Sequence, residues 1–188
     1  MNNFASDIEQ SLEVLHAGGV ILYPTDTIWG IGCDATNETG VERIINLKQR
    51  PANKSFVVLV ASEREVMQYV AAVDLAVFDY LEKQTKPTTV IYEGAIGLAG
   101  NVLAADGSVA IRICKDEFCR TLIKRFRKPI VSTSANISNE PSPTIFTDIH
   151  PIIKSGVDYV VKHRQNETTN AQPSSIIKWA NGEAEVLR

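Results

Sequence analysis

The sequence has little of what marks a specialised class. Only three of its 188 residues are cysteine, Cys33, Cys114 and Cys119, and they form no Cys-x-x-Cys pair. An odd, scattered set excludes a disulfide scaffold or paired-cysteine zinc site and suits a reduced, cytoplasmic chain. No apolar run approaches the roughly eighteen residues of a membrane span. The opening "MNNFASDIEQ" lacks the charged-then-apolar order of a signal peptide. Net charge is −3, so no global basic character argues for nucleic acid. His16, His150 and His163 are scattered, and no His/Cys/Asp/Glu spacing suggests a metal site built by the protein. A G-x-x-x-x-G-K-[ST] segment is missing, which excludes a P-loop enzyme. No Ser-His-Asp or Cys-His arrangement stands out.

What remains is ordinary globular material, 44% hydrophobic and 22% charged, enough for one sizeable core and one domain over 1–188. Ser6 and Glu9 form a capping-box pattern, with Ile8, Leu12 and Leu15 at helical spacing before Gly18-Gly19. Residues 19–23 read as a strand that Pro24 stops. Thr39 and Glu42 suggest a second capping box, on a helix that must close before Pro51. "SFVVLVA", "TTVIY" (88–92), "SVAIRI", "PIVSTSA" and "VDYVV" (157–161) read as strands. Ser62 with Glu65, Asp74 and Asp116 open further helices, the last turning Phe118, Leu122 and Phe126 inward. "SSIIKW" and "EAEVLR" flank Asn181-Gly182, a strong hairpin signal. Interleaved helices and strands make this an α/β chain, and the closing hairpin favours a mixed sheet.

Three polar segments could carry chemistry. "YPTDTIWGIGCDA" contains Gly30-Ile31-Gly32 and then Ala35, the loose form of a dinucleotide loop. That fingerprint needs its glycines directly between strand and helix. Here Pro24 and a polar segment intervene, so the glycines read better as a close backbone approach. Thr25 and Thr27 then either satisfy nearby backbone groups or face a ligand beyond the strand end. "LKQRPANKS" gathers Lys48, Arg50 and Lys54 beside a helix end. They are either a solvated C-terminus or a polyanion clamp. "VSTSANISNEPSPT" presents Ser132, Ser134, Asn136, Ser138 and Ser142 just past an apolar strand, either as a polar linker or as a phosphate cradle. The basic helix end at Lys124, Arg125, Arg127 and Lys128 reads as a solvated face, with a weak RNA contact as the lesser reading.

Taken together and in order, "YPTDTIWGIGCDA", "KQRP" and "STSANIS" resemble the YrdC/TsaC family of threonylcarbamoyl-AMP synthases. The resemblance runs from about Ala17 to Arg188. It implies a twisted mixed β-sheet flanked by helices, with a concave ligand cleft, in the short single-domain form. It implies condensation of L-threonine, bicarbonate and ATP to threonylcarbamoyl-AMP and pyrophosphate, feeding the threonylcarbamoyladenosine modification of tRNA through downstream tRNA-modifying proteins. Magnesium is expected to arrive on the ATP. Position by position, the family pattern places Thr27, Arg112, Ser132 and Ser174 around threonine. Lys48 and Arg50 face the triphosphate as catalytic groups. Arg50, Lys54, Ser108, Ser134, Asn136, Ser142 and Arg188 contact or support the nucleotide. Lys48 and Arg50 are both expected at the surface.

Asn139 stands where glycine is usual; asparagine tolerates positive φ, so the turn is expected to survive. Trp29 replaces a commoner tyrosine, and the lead before "TTVIY" departs from the family pattern. Two other readings share the sequence: a non-catalytic RNA-binding module, and a carbamoyl-phosphate-dependent carbamoyltransferase on the same fold. A monomer or a homodimer fits equally, and no membrane partner is expected.

Overall fold

The computed structural model describes residues 4–51, 56–168 and 172–188. Helix α1 (Ala5–His16) leads into strands β1 (Ile21–Tyr23) and β2 (Gly30–Gly32), then α2 (Glu38–Lys48) and β3 (Val57–Val60). Helices α3 (Glu63–Tyr69) and α4 (Ala76–Glu82) precede β4 (Thr88–Tyr92) and β5 (Val109–Ile113). Then follow α5 (Glu117–Phe126), β6 (Ile130–Ser134), α6 (Pro151–Gly156), β7 (Tyr159–Val160), β8 (Ser175–Ala180) and β9 (Glu183–Val186).

The described strands form one nine-stranded sheet in the order β7-β1-β2-β6-β3-β5-β4-β8-β9. It is mixed: β1–β7, β3–β5 and β4–β8 are parallel, while β1–β2, β2–β6, β3–β6, β4–β5 and β8–β9 are antiparallel. Alternation sorts side chains to two cores. Leu22, Val58 and Val60 join Val41, Ile44 and Val66 from α2 and α3. Ile21, Tyr23 and Leu59 join Ile8, Leu15, Phe118 and Leu122 from α1 and α5. The sheet is therefore covered on both faces, which explains why its strands read as near-continuous apolar runs.

Several helix ends follow the sequence signals. Ser62 Oγ accepts from Glu65 N, and Asp116 Oδ1 accepts from Cys119 N. α1 ends in a Schellman motif, with Gly19 N donating to Val14 O and Gly18 N to Leu15 O while Gly18 takes φ +78°. Two starts differ from expectation. α1 begins one residue before Ser6 without a side-chain cap, and Glu9, the other half of the expected box, pairs with Arg125 (2.8 Å) instead; Asp7 serves a distant segment, its carboxylate accepting from Tyr159 Oη (2.5 Å), Lys162 N (3.0 Å) and His163 N (2.8 Å). For α2 the cap is Asn37, not Thr39; Asn37 Oδ1 accepts from Thr39 N and Gly40 N. α6 is an addition, started by Pro151 at its first position and by His150 Nδ1 accepting from Ile152 N.

β2 shows what the two glycines of its Gly-Ile-Gly do. A Cβ on Gly32 would lie 2.3 Å from Val131 O and 2.7 Å from the Tyr23 ring. Only glycine lets β2 lie between β1 and β6 at this distance. The hairpin at Asn181-Gly182 has φ +53° and +77°, the left-handed pair of a type I′ turn. Asn139 takes φ +71°, so the expected turn forms here with asparagine. All three cysteines are free and buried, and burial pushes the Cys33 thiol up to about 12. Among the described residues no helix is long and apolar enough to cross a membrane.

Candidate functional site

Where β2, β6, β5 and the start of β8 approach one another, a cavity of about 160 Å³ opens. Its wall includes Thr27, Arg112, Ser132 and Ser174 on one side and Arg50, Ser134, Ser142 and Arg188 on another. Eight of the sequence-derived residues thus converge from six separate parts of the chain.

The inner end is built by Thr25-Asp26-Thr27. Pro24 ends β1, and the freed backbone is satisfied locally. Thr25 Oγ1 donates to Ile28 O (2.8 Å) and accepts from Thr27 N (3.0 Å). Its single proton is thereby used, so in the 3.0 Å contact between the two hydroxyls Thr27 is the donor. Thr27 Oγ1 also accepts from Arg112 Nη2 (3.3 Å). One acceptor position is left, and Thr27 can therefore serve a ligand only by accepting a hydrogen bond.

Arg112 lies mid-strand on β5, 4% exposed, with Asp26 Oδ1 3.0 Å from its Nη2. The approach is close but off the hydrogen-bond direction, and Arg112 Nε has no hydrogen-bond partner among the described residues. A buried guanidinium with an unused donor and one imperfect counter-ion is matched to a further anionic group, since Arg binds carboxylates through paired donors. Asp26 escaped the sequence reading as a site residue; its signal was the polar triplet directly after a strand-ending proline. Ser174 Oγ, also buried, lies 2.8 Å from Thr89 Oγ1.

The outer side carries the second cation. Arg50 follows α2 after Gln49, which takes φ +50° and turns the chain off the helix. The Arg50 guanidinium stacks 4.6 Å from the Phe56 ring centroid. Burial lowers its pKa from the usual value, yet guanidinium remains a cation at neutral pH. Arg188 Nη2 donates to Ser174 O (3.2 Å), and its backbone exchanges hydrogen bonds with Ile176.

Three expected residues sit elsewhere, and Lys54 lies outside the described residues. Lys48 is 1% exposed and forms no part of the cavity wall, contrary to the expected surface position. Its stem runs beneath the serine-rich loop, where Nζ donates to Ser134 O and to Asn136 O, while Ser138 N donates back to Lys48 O. Burial and neighbouring Arg50 lower its pKa to about 7. Ser108 turns away from the cavity, donating to Asp106 Oδ1 (2.6 Å) in the turn before β5. Asn136 Nδ2 donates to Ile137 O and Glu140 O, both 2.8 Å, and so shapes the loop from within. Among the described residues no group of three or more His, Cys, Asp or Glu side chains is placed to hold a metal ion.

Comparison with known proteins follows the same lines. A family model for Sua5, YciO and YrdC, described as "Telomere recombination", matches residues 13–188. A threonylcarbamoyl-AMP synthase of Hahella chejuensis is 34% identical over 93% of this chain and 95% of its own length. Among solved structures, a variant of P. abyssi Sua5 superposes with a TM-score of 0.88 at 23% identity, over 97% of this chain and 56% of that one. P. abyssi Sua5 complexed with L-threonine gives 0.85 at 22% identity, over 97% and 54%. This chain thus spans about half the length of that protein.

Proposed function

The chain belongs to the Sua5/YciO/YrdC family, and from that premise we propose that it condenses L-threonine, bicarbonate and ATP into threonylcarbamoyl-AMP and pyrophosphate. The observation that carries the reading is the convergence of Thr27, Arg112, Ser132 and Ser174 with Arg50, Ser134, Ser142 and Arg188 on one cavity. A relative is named for that product, and a structure of similar fold is described with L-threonine bound.

The chemistry follows from the side chains. The threonine carboxylate takes the unused Nε donor of Arg112 and shares that guanidinium with Asp26. Thr27 accepts from a donor of the amino acid, its only open hydrogen-bonding capacity. The amine adds to bicarbonate and water leaves, giving a carbamate. A carbamate oxygen then attacks the α-phosphorus of ATP, forming the new P–O bond as the bond to pyrophosphate breaks. Arg50 meets the negative charge that grows toward the leaving group. Ser134, Ser142 and Arg188 line the nucleotide side. No protein nucleophile is needed; positioning and electrostatics supply the acceleration. Lys48 acts in this reading by holding the serine loop rather than by touching substrate. Magnesium enters as part of the ATP substrate. The product passes to proteins that modify tRNA in the cytoplasm.

The test is pyrophosphate release from ATP by the purified protein. It should require both L-threonine and bicarbonate, and release that ignores threonine would refute the reading.

A further inference from the structure

The carbonyls of the Thr25–Thr27 turn and of Pro24 before it are held from outside the cavity. The structure assigns that task to Arg164, a residue outside every motif in the sequence: we propose that Arg164 is a positioning residue for the threonine pocket, an inference that rests on the synthase reading.

Arg164 Nη1 donates to Thr25 O (3.2 Å) and, at 2.9 Å, to Asp116 Oδ2. Its Nε donates to Glu167 Oε2 (2.8 Å). Asp116 is meanwhile the N-cap of α5, where its other oxygen accepts from Cys119 N. Cys119 Sγ in turn donates to Pro24 O (3.3 Å). Two successive carbonyls of the turn, Pro24 and Thr25, are thus gripped from outside, both through the first turn of α5. Their grip leaves the Thr25 and Thr27 hydroxyls to the network that ends at Arg112.

Arg164 is itself set from behind. Buried Asp7 on α1 accepts the backbone N–H groups of Lys162 and His163, the two residues directly before it. Arg164 then takes φ +67°, a left-handed conformation that L side chains rarely adopt. At such a position glycine is the easier residue on backbone grounds. An arginine at this φ, with Nη1 reaching both the pocket turn at Thr25 O and the α5 cap at Asp116, is placed for its guanidinium.

That strain makes the test clean. Arg164→Gly removes the clamp while relaxing the backbone, so the fold should survive. Two readouts are taken on the full chain: kcat and the threonine KM from pyrophosphate release, and amide hydrogen exchange at Thr25–Thr27 without substrates. Arg164→Gly should raise the threonine KM about tenfold, the loss of one charge-assisted hydrogen bond, and should leave kcat within about twofold. Exchange at the turn should accelerate. Arg164→Lys keeps one charged donor but not the fork, and should recover part of the KM. A threonine KM or turn exchange unchanged in Arg164→Gly would overturn the proposal. If the wild-type protein released no pyrophosphate, the synthase reading would fall, and the exchange result alone would decide whether Arg164 holds the turn.

Discussion

Arg112 and Asp26 face each other at 3.0 Å at the inner end of the cavity, both largely withdrawn from water. Removing one partner of a buried pair leaves the other uncompensated, which costs about 3–5 kcal/mol. Asp26→Asn should therefore lower thermal stability. L-threonine, whose carboxylate can replace the lost counter-ion, should raise the melting temperature of Asp26→Asn by more than it raises that of the wild type. Equal shifts would mean that the carboxylate does not sit on Arg112. Arg112→Ala should weaken threonine binding by roughly 10–100-fold in calorimetry.

Lys48 and the serine loop make a pH-dependent contribution. Its folded pKa, about 7, lies below the ordinary lysine value. Between those two values the unfolded chain binds more protons, so stability should rise as pH rises from about 7 toward about 10. Below that window the full cost of burying the charge is present. Urea midpoints of wild type and Lys48→Met at pH 7 and pH 9 test this: the wild type should gain relative to the variant at the higher pH. Lys48→Ala is expected to loosen the loop as well, since Ser134 O and Asn136 O lose their partner, at about 1–3 kcal/mol.

Arg50→Ala separates chemistry from folding. The side chain lines the cavity and stacks on Phe56. Loss of the stacking should cost about 1 kcal/mol of stability. Loss of its charge at the leaving group should lower kcat by roughly 10²–10³. A kcat unchanged in steady-state assays would remove Arg50 from the reaction.

The glycines divide by mechanism. Gly32→Ala meets backbone at 2.3 Å and should destabilise by about 1–3 kcal/mol through overpacking. Gly107→Ala meets nothing within 4 Å, yet its φ of +79° strains an alanine, and about 1 kcal/mol is expected. Thermal melts of the two variants should rank in that order.

Much of this was legible in the sequence because it is local. The strand 88–92, the Asn181-Gly182 hairpin, the Asp116 cap and the inward face of α5 are written in neighbouring residues. The first helix start failed for a non-local reason: Ser6 and Glu9 spell a capping box, but Glu9 pairs with Arg125 on the distant helix α5. Lys48 failed likewise. A lysine at a helix end is ordinarily solvated, and only the return of the serine loop over it buries the ammonium. Ser108 matched a family pattern, while its local partner Asp106, two residues back, decided its direction. Arg164 could not be found at all, because a single loop arginine has neither period nor motif.

The most direct measurement follows the carbon of bicarbonate. Incubating the protein with ATP, L-threonine and ¹³C-bicarbonate, and weighing the nucleotide product by mass spectrometry, should give threonylcarbamoyl-AMP one mass unit heavier than with unlabelled bicarbonate. Production of AMP without threonine, or ATP cleavage that needs carbamoyl phosphate and ignores threonine, would contradict the account.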